Sequence, residues 1–404
     1  MGSLERIFER NRYSELRRRI VRRAMRLLIR AGDTHLTQPR DLSGSNIHRI
    51  LICRPNHRLG NLLLLTPLVA EIQRLFPDAD VDIVLAGEHV TELFQAFPNV
   101  RHIHNLSRRM VRHPIALVRT AVRLRRARYD LAIDPCETSQ SSRLLVAVAK
   151  PKYAIGAPRS LSATGSVPER TEQTPTHMAQ WPVYQFRRAV NAQSPGPEFP
   201  ALDILLSEQE RLRARTRLAR VIHADDPSHF QRTIGVFAAA TGAKGYDVDW
   251  WQRFVRTVGA RHPDAAIVEI VPADGQPRLA LPFFGSPSPR EVAAVIANMT
   301  CFVSADCGVM HLASAAGVPT IGLFKASDPS KYAPYGHGSR ALDTNGKSPE
   351  EIAELASTVI GTFTQATPPG PHDRSRGEPM PSVTFDAAVP GPGSAGMRGS
   401  KALL

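Results

Sequence analysis

Three short stretches combine residue types that could do chemistry, and each directly follows an apolar run. The first is Asp306-Cys307-Gly308-Val309-Met310-His311, which holds an acid, a thiol, a glycine and an imidazole within six residues. It follows the run at 301–304 and opens a small-residue segment closed by Gly317 and Pro319, the usual helix stop signals. A strand, an acid and a glycine opening a helix present free backbone N–H groups and partial positive charge at the carboxyl edge of a parallel sheet. That arrangement suits a diphosphate. One turn into the helix, His311 would reach a phosphate oxygen. The plainer alternatives are that Asp306 is a helix cap and His311 a core histidine.

The second stretch is Arg54-Pro55-Asn56-His57-Arg58-Leu59-Gly60-Asn61, after the run Ile50-Leu51-Ile52-Cys53. Gly60 either lets a ligand approach the backbone at a helix start or is the glycine of an ordinary strand-to-helix turn with positive φ. The third is Ala240-Thr241-Gly242-Ala243-Lys244-Gly245, where small residues, a hydroxyl and one lysine suit contact with a phosphate or form a surface turn. It lacks the Walker A spacing. The chain shows no HExxH or carboxylate cluster pointing to a catalytic metal and no GxSxG elbow. Without GxGxxG after a strand, a nicotinamide-dependent oxidoreductase has no direct support.

Short apolar runs alternating with helical periods position these stretches. Runs at 50–53, 81–85, 100–103, 129–134 and 153–155 read as strands, with helices expected over 60–75, 88–97, 113–128 and 138–149. Residues 157–203 interrupt the alternation with seven prolines, from Pro158 to Pro200, and room for one helix near 178–192. It resumes with strands at 233–237, 266–271, 301–304 and 320–324 and helices at 249–260, 289–298, 308–316 and 349–364. Strands separated by helices indicate parallel α/β units. The expected division is a basic N-terminal extension (1–45), an N-terminal half with a linker or insertion (46–205), a C-terminal half (206–365) and a disordered Pro/Gly/Ser-rich tail (366–404).

With 404 residues, 42% of them hydrophobic, the chain can build a sizeable core. The four cysteines, Cys53, Cys136, Cys301 and Cys307, show no CxxC spacing and suit a reducing, cytoplasmic setting. Neither a transmembrane run nor a signal peptide is evident. Net charge is +14, and its placement matters more than its size. Residues 1–31 carry ten arginines and three glutamates, while 101–129 carry nine arginines and no acid, so the rest of the chain is slightly acidic. The first segment has an apolar stripe, Leu16, Ile20, Ala24, Leu27 and Leu28, among its arginines. It reads either as a helix lying on an anionic membrane or as a solvated or packed extension. The second reads as a surface helix, as an electropositive wall for an acidic acceptor, or as both. Without aromatic interleaving or a recognisable module, nucleic acid is not expected as a partner.

The three stretches in this order resemble glycosyltransferase family 9, the ADP-heptose:lipopolysaccharide heptosyltransferases. The resemblance runs from about Ile50 to Ile360. It is most specific over Asp306 to Thr320, Gly322-Leu323-Phe324 and Ser327-Asp328-Pro329. It also covers Arg54 through Gly60-Asn61 to Thr66-Pro67-Leu68 and, more loosely, Thr241 to Lys244 with Trp250-Trp251. The resemblance implies a GT-B fold, two Rossmann-like domains facing across a cleft. It implies an inverting, metal-independent transferase without a cofactor, using a nucleotide-sugar, by family default ADP-heptose.

Asp306, Cys307, Gly308 and His311, with Thr241 and Lys244, would hold the donor, and Arg58 and Gly60 would lie on the acceptor side. Cys307 stands where the family has Thr or Ser. The family's presumed general base, an Asp after the glycine, is Asn61 here, and an amide does not usefully accept a proton. His57 is then the alternative base, or Asn61 only orients the acceptor, or the chain binds sugar-nucleotide without efficient transfer. The implied acceptor is an anionic lipid-linked glycan of lipopolysaccharide type at the inner face of the inner membrane, with residues 1–31 in contact with that surface.

Overall fold

The computed structural model describes residues 42, 46–87, 90–106, 114–136, 139–156, 174–190, 199–223, 232–273 and 275–365. The arginine-rich segment 1–31, Arg108, Arg109 and Arg112, and the tail from 366 lie outside the described residues, so the readings made of them do too.

The first half of the chain builds a five-stranded sheet from β1 (Arg49–Cys53), β2 (Asp80–Ala86), β3 (Val100–Leu106), β4 (Leu131–Ile133) and β5 (Tyr153–Ile155). Its order is β3-β2-β1-β4-β5, and every pair is parallel. Between β1 and β2 lie α1 (Leu59–Leu63) and α2 (Thr66–Leu75). After β3 come α3 (Pro114–Arg126), α4 (Gln140–Ala149) and α5 (Gln180–Ala189). The expected single helix at 60–75 is two, because Thr66-Pro67 starts afresh with proline in the first turn, where its missing N–H costs nothing. Where 88–97 was expected to be helical, the described part holds only a 3₁₀ turn, Thr91–Leu93.

The second half opens with α6 (Glu208–Val221) and continues with β6 (Arg232–Phe237), α7 (Val248–Arg261), β7 (Ala265–Ile270) and β8 (Phe283–Phe284). It ends with α8 (Pro289–Ile296), β9 (Cys301–Ala305), α9 (Gly308–Ala315), β10 (Thr320–Phe324), α10 (Pro329–Tyr332), β11 (Arg340–Asp343) and α11 (Pro349–Gln365). Its six strands run in the order β11-β10-β9-β6-β7-β8, again all parallel.

Parallel strands buried on both faces read as continuous apolar runs, as β1, β6, β9 and β10 do. The edge strands β8 and β11 are short and partly exposed, and the sequence reading did not find them. In β1 the alternation still sorts side chains between layers. Ile50 and Ile52 enter a central core, while Leu51 and Cys53 enter an outer one with Leu124 and Val146 from α3 and α4. The central core also takes Phe302, Leu312 and Ala315 from the second half, so one apolar layer joins the two sheets. A third core, with Trp251, Phe254 and Ile360, lies under α7 and α11. At the joint, Arg290 at the start of α8 donates to the carbonyl oxygens of Ile204 (2.8 Å) and Leu205 (2.9 Å), and Ser288 Oγ donates to Glu92 (2.8 Å).

Candidate active site

The carboxyl edge of β9 carries Asp306, which is buried, and Cys307, the N-cap of α9. Asp306 is not itself the cap. Its Oδ2 receives the Lys244 ammonium and the Ser327 hydroxyl. Lys244 closes the 3₁₀ turn Gly242–Lys244 after β6, entered from an exposed Thr241 and a Gly242 with φ of 69°. The Lys244 ammonium also lies 5.5 Å from the Tyr332 ring. Strands β6, β9 and β10 are neighbours, so the loops after them converge on this carboxylate.

Cys307 does not cap through a hydroxyl. Its Sγ lies 3.3 Å from Ser304 Oγ, and burial pushes the thiol above its ordinary pKa. It therefore remains a neutral, weak hydrogen-bonding group, and the N–H groups of the first turn of α9 supply the positive end.

His311 is buried in α9, and its Nδ1 has no hydrogen-bond partner. Burial pushes its pKa down to about 4; His177 and Lys244 add to this, and Asp306 opposes it. The imidazole is thus neutral at pH 7. Charge developing on a nearby anion would raise its proton affinity, which suits a group that stabilises a leaving phosphate.

The loop after β1 meets this site through glycine. A Cβ on Gly60 would lie 2.8 Å from His311 Cδ2 and 3.3 Å from Gly308 Cα. A Cβ on Gly308 would lie 3.0 Å from Leu59 Cβ and 3.1 Å from the Gly60 nitrogen. Helices α1 and α9 therefore touch backbone to backbone. Gly60 has no positive φ. The left-handed turn expected for it is therefore absent, and the space of its missing side chain is closed by His311 and Gly308.

Asn61 follows, half-buried, and its amide has no hydrogen-bond partner among the described residues. His57 and Arg58 are exposed on the loop leading into α1. Asn56 Oδ1 shapes that loop by accepting the Arg58 N–H at 2.8 Å. The His57 backbone packs beside Gly87, at the end of β2. The structure thus joins Gly60, Gly308, His311, Asp306 and Lys244, and leaves His57 and Arg58 exposed on the loop after β1.

Sequence reasoning missed two contributors. Ser327 lies in the quoted Ser-Asp-Pro segment, yet its bond to Asp306 needs the fold to become visible. His177 comes from the proline-rich insertion. Its Nε2–H donates to the Ala333 carbonyl (2.9 Å), its Nδ1 accepts from the Ala179 N–H (3.2 Å), and its ring stands edge-on to Tyr335 at 4.9 Å. Those bonds fix a neutral tautomer and fasten the segment to the loop that follows α10. Beside the site, Tyr246 stacks on Trp250 at 4.2 Å, with the Lys325 ammonium 4.5 Å from its ring. No group of three or more His, Cys, Asp or Glu residues able to hold a metal is found among the described residues.

Two parallel α/β sheets, with the strand-to-helix turn of one meeting a glycine loop from the other, make a GT-B fold. The profile of glycosyltransferase family 9 (heptosyltransferase) matches residues 117–355, more than half of the chain, and the chain belongs to that family. Among solved structures it is similar to a family 9 glycosyl transferase from Veillonella parvula (TM-score 0.62, 17% identity, 78% of this chain and 97% of that one). It is also similar to the E. coli ADP-heptose lps heptosyltransferase II (0.58, 17%, 79% and 100%). The E. coli heptosyltransferase WaaC with ADP gives 0.57, 19%, 78% and 99%. At such identities the likeness is one of fold. No curated protein matches the chain in sequence.

Proposed function

We propose that this glycosyltransferase moves a heptose from an ADP-linked donor to an anionic, lipid-linked acceptor of lipopolysaccharide type, with inversion, on the cytoplasmic side of the inner membrane. The observation that carries the reading is the convergence of Lys244, Asp306, the N-terminus of α9 and a neutral buried His311 on one point of the second sheet. The donor diphosphate would take the free N–H groups of α9 and draw Lys244 away from Asp306. The acceptor hydroxyl attacks the anomeric carbon as the bond to the diphosphate oxygen breaks, and negative charge grows on the leaving group. With Lys244 turned to the diphosphate, the α9 N–H groups, Lys244 and His311 can stabilise that charge. The two halves of the fold would act as acceptor and donor domains.

The proton of the acceptor hydroxyl is the open part of the chemistry. Asn61 can orient the hydroxyl, and we assign the proton to His57, the exposed imidazole on the same loop. The second reading, sugar-nucleotide binding without turnover, rests on that same amide at position 61.

Calorimetric titration against ADP, UDP, GDP and their sugar forms, on wild type and His311→Ala, tests the donor site. Selective binding of the adenine nucleotide, weakened in the variant, is the expected result. Binding of no nucleotide would overturn the reading.

A further inference from the structure

Helix α3 lies on the outer layer of the first sheet, and its inward side is anchored by Leu124, which is fully buried. Its outward side is unusual. Val118 is 62% exposed and Val122, one turn later, 40%. Arg119, Arg123, Arg125 and Arg126 are all exposed, and none has an ion pair among the described residues. At about 100° per residue, Val118, Val122 and Arg126 share the face opposite Leu124. Arg125 flanks that face on one side, and Arg119 and Arg123 on the other.

Single exposed apolar side chains are ordinary. The other large ones among the described residues, Leu212, Phe283 and Leu355, stand one each on α6, β8 and α11. Only α3 shows two on adjacent turns, set among four unpaired guanidinium groups. A helix facing water gains nothing from that row, and a protein partner would have to offer an apolar strip edged by acids on both sides. An anionic bilayer offers both at once: headgroup phosphates for the arginines and, just beneath, an apolar boundary for the valines.

We propose that the outer face of α3 docks the protein on an anionic lipid surface. The inference deepens the proposed function, on whose lipid-linked acceptor its purpose rests. Because the sheet is parallel, a helix leaving β3 begins at its carboxyl edge, the edge that carries Arg54 to Asn61. Docking through α3 lays the outer layer of the first sheet along the headgroups, with the start of the helix on the side of that edge, on the same surface that carries a lipid-linked acceptor.

The test is flotation of the full chain with phosphatidylcholine vesicles, with and without phosphatidylglycerol. Two variants are compared with wild type: Arg119→Gln/Arg126→Gln and Val118→Ser/Val122→Ser. Wild type should float only with the anionic vesicles. At about fivefold per arginine near an anionic surface, the first variant should bind about 25-fold more weakly. The second should lose at least about fivefold, with its charge intact. If either pair can be replaced without loss, or if duplex DNA strips the protein from vesicles at the same ionic strength, the inference is overturned. ADP is titrated into the same preparations. Unchanged binding in the variants shows that they are folded, and absence of binding in wild type would count against the donor site while leaving the vesicle result to stand.

Discussion

At the scale of the residue, one substitution sets the chemistry: an amide at Asn61 where the family resemblance calls for a carboxylate. A general base contributes ~10²–10⁴-fold, and His57 is the exposed imidazole on the same loop. If His57 takes the proton, His57→Ala should lower kcat by about 10²-fold and leave donor affinity unchanged. In the same assay, Asn61→Asp should restore turnover in the His57→Ala background and shift the acid limb of the rate profile toward the carboxylate range. A His57→Ala enzyme with wild-type kcat would remove His57 from the mechanism. The sequence made this question legible, because both residues lie in one motif. It could not show the state of His311, which depends on burial and on His177 and Lys244, brought from distant parts of the chain.

At the scale of the element, the contact between α1 and α9 decides whether the two halves present one site. Alanine in place of a helical glycine normally stabilises by about 0.5–1 kcal/mol. Gly60→Ala should do the opposite, because its Cβ would lie 2.8 Å from a buried ring. Overpacking of this kind costs about 1–3 kcal/mol. Gly60→Ala should therefore melt lower by several degrees and bind donor more weakly, since His311 must shift. A higher melting temperature would show the contact to be loose. The motif displayed Gly60 in the sequence, but the reason for it, a helix more than two hundred residues away, is a tertiary fact. The central strands β1, β6, β9 and β10 were legible because each is an apolar run buried on both faces, whereas the short, partly exposed edge strands β8 and β11 were not. Helix α6 was not, because its buried side is only Ala214, Leu218 and Ala219 among five arginines. Its start carried the one usable signal, Ser207 and Glu210 in a capping box.

At the scale of the whole molecule, buried titratable groups pull stability in opposite directions with pH. His177, His311 and His337 are all held below their ordinary pKa by burial, His311 down to about 4. The unfolded chain protonates these residues near pH 6.5 and the folded chain does not, so stability falls as pH drops from about 6.5 toward 4. Asp134, just past β4, behaves oppositely. Burial raises its pKa to about 7, despite the Cys136 N–H on Oδ1 (3.0 Å) and the nearby guanidinium groups of Arg143 and Arg54. The folded chain holds that proton between about pH 4 and 7, so its contribution is complete at low pH and is lost as pH rises through 7. The two effects oppose each other between pH 5 and 7, and a substitution at Asp134 separates them. Asp134→Asn keeps an oxygen for the Cys136 N–H and removes the ionisation. Its melting temperature relative to wild type should therefore rise with pH, by about 2 °C or more between pH 5 and pH 8. A difference that stays flat across that range would mean that Asp134 is ionised throughout, stabilised by Arg54 and Arg143 more strongly than burial opposes it.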